Sequence, residues 1–405
     1  RFSNMKYDFT TIMDRRGKDA IAVDLPGKGG GFAPGGPKEG FDLIPMWVAD
    51  MNFATAPSII EAIQKRISHP AFGYFEPSDA YFDAIINWQK VRNGVEGLTK
   101  EEIGYENGVL GGLVSALNAF ASHGDGVLVH SPTYIGFTKS IEGAGYRIVH
   151  SRMKRDEQGV WRMDYEDMDA KLKENKIHVA VFCNPHNPTG RVWEPEEIQK
   201  AMEVYKENDC IVIADEIWSD LILEGYHHTP VQSVSEDAKN RTIALYAPSK
   251  TFNLAGLIGS YHIIYHPYLR DRVLASSSKC HYNSMNVLSM HALVGAYQKE
   301  GQEWVDELRQ VLSRNVDYAY NYILEHFEGI SLAKPQGTYM LFLNCEEWCK
   351  KHGKTTDELL RAGWDVGVAW QDGRPFHAEY GIRVNLALPF SRVQEAFRRL
   401  NEYVF

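Results

Sequence analysis

Lys250 stands a few residues beyond the apolar run Thr242-Ile243-Ala244-Leu245, inside Tyr246-Ala247-Pro248-Ser249-Lys250-Thr251-Phe252-Asn253-Leu254-Ala255-Gly256. A lysine at the end of a buried strand gives up its proton more readily than one in water. The free amine can then add to an aldehyde as a Schiff base. A Ser-Lys pair alone would read as a surface lysine, so its neighbours decide. Asp215, in Ile213-Ala214-Asp215-Glu216-Ile217-Trp218, ends a second apolar run directly. A carboxylate there needs a cationic partner, or burial penalises its charge. The protonated nitrogen of a pyridine ring is such a partner, and the pair keeps the ring electron-withdrawing. Without Lys250, a helix N-cap carboxylate would be the preferred reading of Asp215.

Three further strings end strands. Asn184-Pro185-His186-Asn187-Pro188-Thr189-Gly190 packs prolines and a glycine into a rigid turn, with Asn187 free to hydrogen-bond a phenolic oxygen; His186 reads as structural. Glu106-Asn107-Gly108-Val109-Leu110-Gly111-Gly112-Leu113 leads into an apolar helix whose first N–H groups favour a phosphate. Tyr134, in Ser131-Pro132-Thr133-Tyr134, is placed to stack on an aromatic ring. The loop Pro26–Gly40 carries glycine at seven positions but lacks a following Lys-Ser/Thr and a preceding strand. It therefore reads as a mobile loop and not as a phosphate cradle.

The elements that must position these residues follow one rhythm. Short β-branched runs at Val127–Val129, Arg147–Val149, Val179–Phe182, Ile211–Ile213, Thr242–Leu245 and Tyr261–Ile264 alternate with helical patterns such as Pro195–Asn208. Near-continuous apolar strands separated by helices predict parallel strands covered on both faces, an α/β sandwich. After Ser284 the pattern changes to two long helices, Val287–Lys299 and Gln302–Phe327, with strands at Thr338–Leu343 and Gly381–Leu386. That predicts a smaller α+β domain, as 405 residues exceed what one core comfortably holds.

Composition narrows the function classes. A net charge of −10 with scattered basic residues argues against a nucleic-acid surface, and Lys154-Arg155 and Lys350-Lys351 read as solvated faces. No apolar run approaches the ~20 residues that span a bilayer. The first residues, Arg1 to Lys6, lack the apolar stretch of a signal peptide, although Arg1 is not an initiator. Five widely spread cysteines suggest reduced thiols in a cytoplasm, with no metal site; Cys345 and Cys349 share a helical spacing without histidine partners.

Asn187-Pro188-Thr189-Gly190, Asp215-Glu216 and Ser249-Lys250, in that order, resemble the class I/II aminotransferase group of fold-type I pyridoxal 5′-phosphate (PLP) enzymes over essentially the whole chain. The resemblance implies an aspartate aminotransferase-like α/β fold with a mostly parallel seven-stranded sheet. It places a large PLP-binding domain at 46–285, a small domain at 286–405 and an N-terminal segment, 1–45, joining the small domain. It also implies roles. Lys250 would hold PLP and move the α-proton, Asp215 would pair with the ring nitrogen, Asn187 would bond the ring oxygen and Tyr134 would stack on the ring. The Val109 and Leu110 amides with Ser249 would hold the phosphate. Arg383, in Gly381-Ile382-Arg383-Val384-Asn385, would clamp the substrate α-carboxylate. Tyr74, in Phe72-Gly73-Tyr74, would reach the phosphate of a neighbouring subunit, which implies a homodimer with shared sites.

Pro45-Met46-Trp47-Val48-Ala49-Asp50-Met51-Asn52-Phe53 resembles, more narrowly, the cystathionine β-lyase-like C–S lyases, and so does Ser249–Leu257. That branch splits the Cβ–S bond of sulfur amino acids to pyruvate, ammonia and a thiol. Asn52 stands where the branch tends to have Asp, Trp218 where relatives carry Tyr or His, and Ile258 where many aminotransferases have a phosphate-binding arginine; Ala247 replaces a frequent phosphate serine. The expectation is a PLP-dependent C–S β-lyase, with an amino-acid aminotransferase as the alternative. A regulatory binding role finds no helix pair or basic stripe to support it.

Overall fold

The computed structural model describes residues 4–281 and 284–405. Thirteen strands are distributed over three sheets among these residues. The large sheet is built from β2 (Ile103–Glu106), β3 (Gly126–Ser131), β4 (Arg147–Arg152), β7 (Val179–Cys183), β8 (Ile211–Asp215), β9 (Thr242–Tyr246) and β10 (Ser260–Ile263). Its order is β2-β10-β9-β8-β7-β3-β4, and β10 runs antiparallel to both its neighbours while the rest are parallel. The central strands are buried along their length because helices cover both faces, which is why they read as unbroken apolar runs. Each buried Val, Ile or Phe there contributes about 1.5–3 kcal/mol.

The small sheet has the order β1-β12-β13-β11, with β1 (Ile44–Met46), β11 (Met340–Asn344), β12 (Val368–Asp372) and β13 (Gly381–Asn385). β1 joins parallel to β12, with Ile44 beside Val368. A two-stranded ribbon, β5 (Lys154–Arg155) with β6 (Trp161–Arg162), completes the strands. The long helix Lys299–His326 buries Leu308, Leu312 and Ile323 on one stripe and packs with the C-terminal helix Phe390–Tyr403.

Several boundaries differ from the sequence reading for local reasons. The strand expected from Thr338 begins at Met340, because Thr338 sits at φ 64 and its hydroxyl accepts from the Met340 amide. The helix expected to run to Lys299 stops at Ala296, and the next begins at Lys299, three residues before its expected start. The glycine-rich loop is held at several points. Gly27 N–H donates to Pro34 O, Arg361 donates to Gly36 O, the Lys38 amide donates to Asp365 O, and the Lys139 ammonium lies 4.3 Å from the Phe32 ring centre. These contacts tie the loop to the helices Thr356–Asp365 and Ile135–Gly143.

Candidate active site

The chemistry-bearing residues follow the carboxyl ends of β2, β3, β7, β8 and β9, where an open α/β sheet gathers its loops. Gly108 takes φ 79, a left-handed value that admits glycine, and turns the chain from β2 into the helix Val109–Phe120. This leaves the first amides of the helix, those of Val109 and Leu110, pointing out of its positive end. Gly112 lets the helix approach β9, since a Cβ there would lie 2.9 Å from the Leu245 side chain.

Tyr134 caps the helix Ile135–Gly143, and its ring meets Phe137 edge-on at 5.2 Å. Gly136 makes room for it: a Cβ at that position would lie 2.3 Å from a ring carbon of Tyr134. Asp215 ends β8, and Ser249 and Lys250 open the short helix Ser249–Phe252 that follows β9. Asn253 closes that helix in the left-handed region, φ 58, and ties it to the Trp47–Phe53 strip. Its side chain accepts from the Met51 amide and donates to the Met51 and Phe53 carbonyls.

A cavity of about 250 Å³ opens between these ends, lined by Val109, Leu110, Tyr134 and Asn187. Asp215, Trp218, Ser249 and Lys250 complete the part that concerns the chemistry. Seven of the site residues expected from the sequence thus meet in one place. Arg383 adjoins them from β13: it donates to Asn187 Oδ1 at 3.3 Å and to Trp47 O at 2.7 Å. Its Nε is buried with no partner among the described residues. Tyr74 does not join the group in its own chain; it stands fully exposed, with Phe72 also exposed nearby.

Burial sets the electrostatics. The Asp215 carboxyl is pushed up to about 7 by desolvation, which the Ile217 amide at 3.1 Å and the charge of Lys250 only partly offset. The Lys250 ammonium is brought down to about 8, first by burial and then by the positive charge of Arg383. Burial likewise brings the Arg383 guanidinium down to about 10 and raises the Tyr134 phenol. Lys250 Nζ donates to Ala49 O at 2.8 Å and lies 5.6 Å from the centre of the Trp218 ring. His186 is engaged elsewhere, 2.6 Å from Thr189 Oγ1.

These residues fit PLP. A buried carboxylate that lacks a full cationic partner suits a pyridinium nitrogen, a helix positive end beside Ser249 suits a phosphate, and a partly neutral lysine suits an aldehyde. The orphaned Nε of Arg383 leaves a donor for an incoming carboxylate. The sequence model described as aminotransferase class I and II matches residues 42–400. The chain belongs to that family. Cystathionine beta-lyase PatB of Bacillus subtilis (strain 168) is 33% identical over 89% of this chain and 92% of its own. Protein MalY of Escherichia coli (strain K12) is 28% identical, with 96% of each chain covered. Cystalysin from Treponema denticola, solved with a PLP cofactor, superposes with a TM-score of 0.89 at 28% identity over 98% of both chains.

Sequence reasoning used Trp47–Phe53 only as a mark of kinship and missed what the strip does. Arg383 donates to Trp47 O, Asn385 Nδ2 to Val48 O and Asp50 O, and Lys250 to Ala49 O. One strip therefore touches the lysine, the candidate carboxylate clamp and the shoulder residue Asn253. Backbone groups of the strip carry these contacts, so no side-chain signal announced them. Cys183, which also lines the cavity, was likewise not singled out; its thiol donates to Pro185 O at 3.3 Å.

Proposed function

We propose that the chain is a PLP-dependent carbon–sulfur β-lyase that converts a sulfur amino acid to pyruvate, ammonia and a thiol. The observation that carries the reading is the convergence of Lys250, Asp215, Asn187 and Arg383 on one cavity wall and its border. The relatives named as a cystathionine beta-lyase and as cystalysin favour the lyase branch over transamination.

Bound PLP supplies an electron sink that acidifies the substrate Cα–H and lets a group on Cβ depart with its bonding electrons. Asp215 would hold the ring nitrogen protonated, Asn187 would bond the ring oxygen, and Tyr134 would cover one ring face. The Val109 and Leu110 amides and Ser249 would hold the phosphate. Arg383 would fix the α-carboxylate through a two-pronged contact, orienting Cα–H toward Lys250. Lys250 Nζ, with a proton affinity near neutrality, would take the α-proton. Trp218 roofs the lysine with an apolar face and offers no hydroxyl.

Exposed Phe72 and Tyr74 support a homodimer in which Tyr74 serves the neighbouring site. Five free cysteines support a reducing, cytoplasmic setting, and no helix among the described residues is long and apolar enough to cross a membrane. The test is an end-point assay of PLP-loaded protein with L-cystathionine and with L-cysteine, without any 2-oxo acid. Catalytic release of pyruvate and thiol is expected. Stalled turnover, restored by a 2-oxo acid, would instead establish an aminotransferase.

A further inference from the structure

Arg15 belongs to the N-terminal segment, far from Lys250 in sequence, yet it grips the strip that faces the lysine. Its Nη1 and Nη2 donate to the two carboxylate oxygens of Asp50 at 3.1 and 2.9 Å, and Nη1 also donates to Asn52 Oδ1 at 2.8 Å. Such a two-pronged contact fixes direction as well as distance. Asp50 directly follows Ala49, the residue whose carbonyl accepts from Lys250 Nζ. The other faces of the strip are held too: Asn385 takes the Asp50 carbonyl, and the Asn52 amide donates to Ala387 O. Arg15 is the only contact to the Asp50 carboxylate among those the structure describes.

We propose that Arg15 is a positioning residue for Lys250, which through Asp50 sets both the carbonyl and the negative charge that the lysine nitrogen meets. This rests on the reading of Lys250 as the PLP-bearing lysine. The charged groups acting on Lys250 are Arg383, Asp50 and Asp215, and Trp218 covers it with an uncharged ring. Arg383 and Asp215 each have a place in binding substrate or cofactor. Asp50 has none, and its charge is left to tune the lysine. Arg15 moderates that charge, and Asn52 extends the grip without adding a second carboxylate. An Asp at position 52 would split the guanidinium between two anions and loosen its hold on the first.

The experiment is a pH titration of the visible absorbance of the PLP-loaded protein, which reports the proton on the Lys250 nitrogen without turnover. Asp50→Asn removes a nearby anion and should lower the midpoint by about one pH unit. Arg15→Met leaves Asp50 unmoderated and should raise the midpoint by a similar amount. Asn52→Asp should also raise it, and Arg15→Lys, which keeps the charge, should stay closer to the parent protein than Arg15→Met. General damage to the fold would move Asp50→Asn and Arg15→Met in one direction. Such a result, or unchanged midpoints in both, overturns the proposal. Borohydride reduction followed by peptide mapping identifies the lysine that carries PLP in each protein. Attachment at Lys250 keeps a failed titration specific to Arg15, whereas attachment elsewhere removes the underlying reading.

Discussion

Asp215→Asn should stabilise the cofactor-free protein while weakening its hold on PLP. The carboxyl is raised from its ordinary 3.8 to about 7 by burial. At 1.36 kcal/mol per pH unit, that difference corresponds to about 4 kcal/mol of strain carried by the empty fold once the group is ionised. An acid held above its ordinary value binds its proton more tightly when folded. Its contribution to stability therefore falls as pH climbs from about 4 to about 7, then levels off. Asparagine keeps the oxygen that accepts from the Ile217 amide and carries no charge. The variant should gain up to about 4 kcal/mol over the parent at pH 8, about 2 kcal/mol at pH 5, and less than about 1 kcal/mol near pH 4. Denaturant unfolding of both cofactor-free proteins at these pH values measures this. Loading with PLP should reverse the order, because the ring cation offsets the Asp215 charge in the parent alone. A variant no more stable than the parent at pH 8 without cofactor would refute the argument that this carboxylate awaits a cation.

Lys250→Ala should lose turnover by at least about 10³-fold and leave no PLP on the protein after borohydride treatment, read by mass spectrometry. Arg383→Ala should retain the cofactor spectrum and lose about 100-fold in kcat/KM, chiefly through KM, in steady-state assays; loss of PLP itself would take Arg383 out of the carboxylate role. Gly136→Ala would drive a methyl group into the Tyr134 ring, so PLP dissociation followed by fluorescence should weaken by about tenfold with little change in melting temperature.

The central strands were legible because burial on both faces leaves no polar side in the pattern, as in Val179–Cys183. The residues at their ends were legible because a charge such as Asp215 directly after such a run demands a partner. β2 escaped notice: Ile103–Glu106 is short, ends in a glutamate and is buried only at its two ends. That glutamate meets His262 Nδ1 across the antiparallel pair at 2.7 Å, a hydrogen-bond partner more than 150 residues away. β1 escaped for a similar reason, since Ile44-Pro45-Met46 has a proline in its middle and a partner near the opposite end of the chain. Arg15 gave no local signal either, because what it does depends on Asp50 lying opposite it in space. Pattern reports burial well; it does not report which distant group a polar side chain will meet.

The pairing of β1 with β12 bears on how the protein is made. A ribosome releases Ile44–Met46 hundreds of residues before Val368–Trp370, an interval on the order of tens of seconds at ordinary synthesis rates. Throughout it the large sheet can assemble and offer Lys250 and Asn253 to the strip after β1, but β1 itself has no strand partner. The strip that follows β1 meets Arg383 and Asn385, which emerge later still. The cleft therefore closes late on the nascent chain, and a polypeptide cut short before β12 would lack the strand that pairs with β1 and the arginine that borders the cleft.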